Sequence, residues 1–317
     1  MKRRQFLKSA GSLPLLSYFP ADLGGITREL NFGKLEKRTL GKTGRKLSII
    51  GFGGIVVMDA TPEQSSERVK NAINFGINYF DVAPSYGDAE IKLGPALEPY
   101  RKDVFLACKT TERKKEGARK ELEQSLERLR TDHFDLYQLH AVTKLEDVET
   151  IFAPGGAMET FLEAKDEGKI KLIGFSAHSV EAAMALMDRY DFDTILFPIN
   201  FATWHAGNFG PQVLERAKEK EMGILALKAM AMGPYPEGAQ KVPKCWYEPL
   251  SEPEDAKMGL RFTLSHPVTA AIPPGNENLF NMALGLISEF KPLDSSEVMK
   301  IKEKGTLGEP LFSYPMG

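Results

Sequence analysis

The sequence predicts an α/β protein built as a single (β/α)8 barrel. Three observations lead there. Eight short apolar, β-prone runs recur from Leu47 onward, their starts about 32 residues apart, and longer amphipathic stretches separate them. The runs are close to continuously apolar, as parallel strands covered on both faces require. A doubly wound open sheet, the competing architecture, would call for a Gly-x-Gly-x-x-Gly turn after the first strand, and the "GFGG" of residues 51–54 runs into Ile55, Val56 and Val57 instead.

In chain order the predicted strands are "LSIIGFGG" (47–54), "YFDVA" (79–83), "VFLACKT" (104–110), "FDLYQLH" (134–140), "IKLIGFSA" (170–177), "TILFPIN" (194–200), "GILALKA" (223–229) and "VTAAIPPG" (268–275). Ahead of them, residues 26–46 carry Gly41 and Gly44 and are expected to form a hairpin closing the bottom of the barrel. The first helix announces itself at Thr61-Pro62-Glu63-Gln64. A capping hydroxyl, a proline at the first helical position and a glutamine three residues past the cap precede Val69, Ala72 and Ile73. Residues 114–130 put Ala118, Leu122, Leu126 and Leu129 on one stripe, which predicts a helix lying on the sheet with its charged faces in water. The connection from Met230 to Pro253 is rich in Pro and Gly, is long for a strand-to-helix loop, and is expected to cover the active-site face. The tail from Lys304 to Gly317 shows no period and is expected to lie against the barrel.

Composition narrows the function. The 317 residues hold 41 Lys and Arg against 43 Asp and Glu, a net charge of −2 that is too balanced for a nucleic-acid-binding surface. Two cysteines, Cys108 and Cys245, and five scattered histidines give neither a disulfide framework nor a metal-ligand spacing, so no metal is expected. Cys108, of opposite strand parity to Lys109, reads as a core residue. The charge is uneven: residues 1–25 carry a net +3, leaving −5 for the rest. Arg3-Arg4-Gln5-Phe6-Leu7-Lys8 resembles the core of a twin-arginine export signal. The expected organisation is therefore a signal segment at 1–25, read by a twin-arginine translocase, and a barrel with a C-terminal tail at 26–317. The expected location is extracytoplasmic, with the cytoplasm as the alternative. No window is long and apolar enough for a transmembrane anchor.

Catalytic groups of such barrels stand at the C-terminal ends of strands. Four titratable side chains are found there: Asp81 near the end of the second strand, Tyr86 in the loop that follows, Lys109 at the end of the third and His140 at the end of the fourth. Each alone has an ordinary explanation as a cap, a packed loop residue or a solvated strand end. Their coincidence at one end of three consecutive strands points to a site.

With these residues in place the sequence resembles the aldo-keto reductase superfamily over nearly all of residues 35–290. "LGKTGRKLSIIGFGG" is similar to the family's opening, "FDLYQLH" to its fourth strand and "GKIKLIGFSAHS" to its fifth strand and turn. The resemblance implies an NAD(P)-dependent oxidoreductase that reduces an aldehyde or ketone, or oxidises the alcohol in reverse. The family's Asp, Tyr, Lys and His fall on Asp81, Tyr86, Lys109 and His140. Tyr86 is the implied proton donor, and a neighbouring ammonium on Lys109 is expected to favour its phenolate. Asp81 would pair with Lys109, and His140 would orient the substrate oxygen.

For the cofactor, NADP or NAD, the resemblance implies Ser176 against the nicotinamide amide, with Asn200, Lys228 and Gly275 as further candidates. The family's Asn after that serine is Ala177 here, and its sixth-strand Gln is missing. The eighth unit, "AIPPGNENLFNMALG", has Pro274, Gly275 and Asn276 where NADPH-preferring members place Lys or Arg, which leaves the NADPH preference open. Substrate contacts are expected from the loops "FATWHAGNFG" and "KCWYEPL", where Trp204, His205, Trp246 and Tyr247 would form an aromatic wall. Two other function classes fit the same residues: a non-catalytic nicotinamide-binding sensor, and an isomerase or lyase that shuttles protons with cofactor assistance.

Overall fold

The computed structural model describes residues 35–315. The expected twin-arginine segment at 1–25 lies outside the described residues, as do 26–34 of the expected hairpin. The strands are β1 (Lys37–Thr39), β2 (Lys46–Ser48), β3 (Phe52–Gly53), β4 (Tyr79–Asp81), β5 (Phe105–Thr110), β6 (Phe134–Val142), β7 (Ile170–Ala177), β8 (Thr194–Pro198), β9 (Gly223–Leu227), β10 (Ala231–Gly233), β11 (Glu248–Pro249) and β12 (Ala270–Ile272). The helices are α1 (Pro62–Asn74), α2 (Ala89–Leu97), α3 (Lys115–Arg128), α4 (Leu145–Phe152), α5 (Ala157–Asp166), α6 (Val180–Arg189), α7 (Phe201–His205), α8 (Pro211–Glu219), α9 (Pro253–Ser265), α10 (Glu277–Ile287) and α11 (Ser295–Leu307).

Eight strands pair in parallel in the order β3-β4-β5-β6-β7-β8-β9-β12. A parallel bridge between Ile50 and Ala271 draws the sheet shut, with Gly51 N–H donating to Ala271 O at 3.0 Å and Ala271 N–H to Ile49 O at 2.9 Å. This is the (β/α)8 barrel that the sequence predicts. The first predicted run, 47–54, is divided: Leu47 and Ser48 belong to β2, Ile50 bridges to Ala271, and Phe52–Gly53 pairs with β4 in the barrel. At the division a bend at Ile49 is held by the Ser48 hydroxyl, which donates to Ile50 O at 2.7 Å.

The barrel interior is filled at its lower end by Leu47, Tyr79, Phe105, Leu136, Leu196, Leu225, Ala270 and Ile272, with Leu40 joining them. The β1–β2 hairpin supplies Leu40 and Leu47, so within the described residues it seals the bottom as expected. The turn that delivers Leu40 needs Gly41: at φ +48 a Cβ there would meet the backbone of Glu221, Met222 and Gly223 at 2.3–2.4 Å. A second apolar cluster lies between the sheet and the helices and holds Ala118, Leu122, Leu126 and Leu129 of the predicted stripe. Cys108 is buried in that cluster too. Thr61 and Gln64 form the predicted reciprocal cap of α1.

The connection after β9 folds into the small antiparallel sheet of β10 and β11. The tail is helical for longer than predicted. Asp294 and Glu297 cap α11, which runs to Leu307, and the irregular stretch begins at Gly308. That stretch does lie on the barrel: Tyr314 N–H donates to Gly207 O at 2.8 Å, and the Phe312 ring stacks on Phe209 with centroids 5.2 Å apart. No helix among the described residues is long and apolar enough to cross a membrane.

Candidate active site

Strand register sets the site. Asp81 pairs with Ala107, so Lys109 stands one inward-facing step above Asp81 on the neighbouring strand. Lys109 in turn pairs with Gln138, one inward step below His140 on β6. Above the apolar filling, the barrel therefore carries a polar layer made from three adjacent strands.

Lys109 is fully buried and its ammonium forms an ion pair with Asp81, itself 2% exposed. The ammonium also donates to Val82 O at 3.3 Å and to Tyr86 OH at 3.4 Å. The other Asp81 oxygen accepts from Tyr79 OH and from Gln138 Nε2, both at 3.1 Å. Burial, the largest single influence, would lower the Lys109 pKa, but the charge of Asp81, the neighbouring Tyr86 and the hydrogen bond to Asp81 together outweigh it and hold the value above that of an ordinary lysine. The ammonium is thus charged throughout the neutral range, and the carboxylate is saturated with donors.

Tyr86 departs from expectation in its ionisation. Burial raises its pKa above the ordinary phenol value, and although Lys109 opposes this, the net shift is upward. The hydroxyl therefore holds its proton near neutrality, where the sequence suggested a favoured phenolate; desolvation of the anion exceeds the attraction of an ammonium already paired with Asp81. His140 stands edge-on to Tyr86 with ring centroids 5.6 Å apart, and Ser85 Oγ lies 3.4 Å from its Nδ1. Burial first, then the charges of Lys109, His178, Arg113 and Lys228, depress the His140 pKa to about 2. Its imidazole is neutral at any physiological pH. Arg113 Nη2 holds the His140 carbonyl at 2.8 Å, at the bulge where Ala141 adopts φ +51.

The other candidates divide. Ser176, buried at the end of β7, accepts from Ala141 N–H at 2.7 Å, leaving its hydroxyl proton to donate elsewhere. Asn200 caps α7 by accepting from Thr203 N–H at 3.0 Å, while its amide Nδ2 is buried with no partner among the described residues. Lys228 follows β9 with its ammonium over the rings of Trp246 and Tyr247. Gly275 lies just before α10, where a Cβ would strike the Ile55 side chain at 2.2 Å, so close packing accounts for the glycine. Cationic side chains nevertheless reach this helix start from elsewhere in the chain. Arg68 of α1 pairs with Glu277, and Lys244, which donates to Met58 O, lies close enough for the charges of Arg68 and Glu277 to act on it.

Trp204 and His205 are not brought to the tetrad. The segment predicted as a loop starts α7, which turns Trp204 onto His266 (centroids 4.3 Å apart) and Phe262, and His205 onto Phe262. Both are packed between helices. Trp246, by contrast, is 55% exposed and touches Phe312 of the tail, which in turn meets His178. Sequence reasoning missed Tyr79, Gln138, Arg113 and Phe312; the first two share strand parity with Asp81 and His140, a signal that was there to be used.

A separate surface cleft of about 1380 Å³ is lined by Arg45, Asn78, Arg101, Val104 and His133. It opens at the opposite, N-terminal ends of β4, β5 and β6, away from these groups. Among the described residues no cluster of His, Cys, Asp and Glu could hold a metal ion.

The chain is 30% identical over 219 residues to L-galactose dehydrogenase of Arabidopsis thaliana, covering 63% of this chain and 67% of that one. It is 32% identical over 218 residues to the aldo-keto reductase YhdN of Bacillus subtilis, covering 63% of each. The fold is similar to that of aldo-keto reductase AKR11C1 from Bacillus halodurans, with TM-score 0.69 and 22% identity over 89% of this chain and 99% of that one. It is also similar to an aldo-keto reductase of Klebsiella pneumoniae solved in complex with NADPH, with TM-score 0.67 and 21% identity over 89% of this chain and all of that one. Residues 50–247 match the Aldo/keto reductase family. With that match spanning most of the barrel strands and the barrel itself in place, the chain belongs to the Aldo/keto reductase family of NAD(P)-dependent oxidoreductases.

Proposed function

We propose that the protein reduces an aldehyde or ketone, or oxidises the corresponding alcohol, with Tyr86 as the proton donor. The observation that carries this reading is the Tyr86 hydroxyl 3.4 Å from the ammonium of a buried, Asp81-paired lysine. A neutral phenol can give its proton to a developing alkoxide. The phenolate left behind faces Lys109, whose charge stabilises it. Asp81, held by Tyr79 and Gln138, keeps that ammonium charged and aimed. His140, neutral and fixed through its carbonyl by Arg113, can donate a hydrogen bond to the same substrate oxygen without competing for the proton.

The residues present fit a nicotinamide carboxamide. Among the described residues the Asn200 Nδ2 is a buried donor without a partner and the Ser176 hydroxyl proton has no acceptor; both stand near neighbouring strand ends, where an amide oxygen could accept from them. Bound there, NADP or NAD would supply the hydride.

The test is a Tyr86→Phe variant assayed with a panel of aldehydes and either cofactor. It should unfold like the parent, yet lose turnover by about two to four orders of magnitude. Full activity in the variant would remove Tyr86 from the chemistry. Cofactor binding by the parent without any oxidation would favour a sensor, and product without net cofactor consumption an isomerase or lyase. Titrating NADPH and NADH in parallel by protein fluorescence decides the cofactor preference.

A further inference from the structure

Lys228 has no part in the proton chemistry, and its surroundings are unusual for a lysine. It ends β9 in the left-handed region at φ +66, fixed by a turn in which Ala231 N–H donates to its carbonyl at 2.8 Å. Its ammonium lies 4.9 Å from the Trp246 ring centroid and 5.0 Å from that of Tyr247. The two rings meet at 88° and form a corner around the charge. Aromatic faces hold a cation in place but do not neutralise it. Among the described residues no carboxylate forms an ion pair with Lys228, and burial pulls its pKa down to about 8. An anion brought to it would be welcomed on both counts.

The same corner opens on the reacting end of the site. The charge of Lys228 bears on His140 and on His178, and both histidines are held neutral. Phe312 links the wall together, touching His178 at 5.3 Å and Trp246 at 6.1 Å. Arg113 stands beside His140 as well, but its charge is met by Asp147; its Nη1 is buried and has no hydrogen-bond partner among the described residues. The nearby acids answer other groups: Asp81 pairs with Lys109, Asp147 with Arg113, and Glu112 and Glu121 also act on Arg113. Among the described residues the mouth therefore presents one cation without a carboxylate partner, Lys228, beside two neutral imidazoles, a combination complementary to an anionic oxygen group.

We propose that Lys228 is a specificity-determining residue that binds the carboxylate of an acidic carbonyl substrate, an oxo acid or aldehydic acid, while the carbonyl lies against Tyr86 and His140. This rests on the reductase reading of the site. A cofactor diphosphate offers the same anionic oxygens, but the charge of Lys228 bears on His140, at the carbonyl end, and its ammonium lies against the exposed Trp246 at the rim.

Succinic semialdehyde and butanal form a matched pair with the same carbon chain, with and without the carboxylate. The parent should prefer the acid. Lys228→Met should lower kcat/KM for succinic semialdehyde about tenfold or more relative to butanal, mainly through KM, and Lys228→Arg should restore most of the preference. Malonate, which cannot react, should bind the parent in a tryptophan-fluorescence titration and fail to bind Lys228→Met. An unchanged acid-to-neutral ratio overturns the proposal. So does an equal loss for both aldehydes accompanied by weaker NADPH and NADH binding, which would assign the ammonium to the cofactor phosphates. Should the parent reduce no aldehyde, the reductase reading fails and the malonate titration decides alone: binding that depends on Lys228 upholds the anion site, and its absence overturns it.

Discussion

Replacing Lys109 by Met, Asp81 by Asn, and both together measures how much of the barrel's stability is tied to its reactive layer. The pair is buried on both sides, so deleting one partner strands the other charge away from water, at a cost of about 3–5 kcal/mol. The two deletions are not equivalent. Lys109→Met leaves Asp81 with two neutral donors, Tyr79 OH and Gln138 Nε2, and belongs at the lower end of that range. Asp81→Asn leaves the ammonium with neutral acceptors alone, the amide oxygen, Val82 O at 3.3 Å and Tyr86 OH at 3.4 Å, and with no counter-charge it belongs at the upper end. In the double variant no charge is stranded, and its destabilisation should fall short of the summed singles by about 2 kcal/mol or more. Urea unfolding at pH 7.5, followed by circular dichroism with the slope m held to the parent's value, gives all four corners of the cycle. Singles that each cost less than about 1 kcal/mol, or a double equal to their sum, would refute the account of Lys109 as a buried charge sustained by Asp81.

Stability should fall with acid through the histidines. The folded values of His140 and His178, about 2 and about 4, lie below the ordinary 6.5, so the unfolded chain takes up protons below pH 6.5 that the folded chain refuses. His140→Gln should therefore recover about 2 kcal/mol of the parent's loss between pH 6.5 and 5, and parallel pH profiles would show that His140 is not held neutral. Gly41→Ala forces a side chain into the backbone of Glu221, Met222 and Gly223 and should lower the melting temperature by several degrees, since a clash and a left-handed φ add at one position. At the N-terminus, an Arg3→Lys, Arg4→Lys double variant should trap the protein in the cytoplasm; unchanged fractionation would count against export.

The parts of this protein legible in its sequence are those governed by short-range periodicity. Strand runs, the Thr61 cap and the α3 stripe each depend on residues within one element. The four candidate residues Asp81, Tyr86, Lys109 and His140 could be singled out because they lie near the ends of consecutive strands or in the loop just beyond, and strand ends are adjacent in a parallel barrel. What escaped detection depends on contacts between distant segments. Trp204 and His205 look like loop aromatics until Asn200 is seen to cap α7 and turn them onto α9. Nothing local couples Lys228 to Trp246 eighteen residues on, or brings Arg68 to Glu277 at the start of α10. The direction of the Tyr86 shift is a balance between desolvation and one paired ammonium, which counting charges in a sequence cannot weigh.

The bridge between Ile50 and Ala271 gives the barrel a seam whose two sides lie about 220 residues apart in the chain. A ribosome adding ~5–20 residues per second would need roughly ten to forty seconds to deliver the second side after the first, and through that interval the edges of the nascent sheet have no partner. The strand that closes the barrel arrives behind seven others, and the tail carrying Phe312 arrives later still. Conditions that slow translation or remove chaperones should therefore depress the yield of soluble protein more than its final stability would suggest.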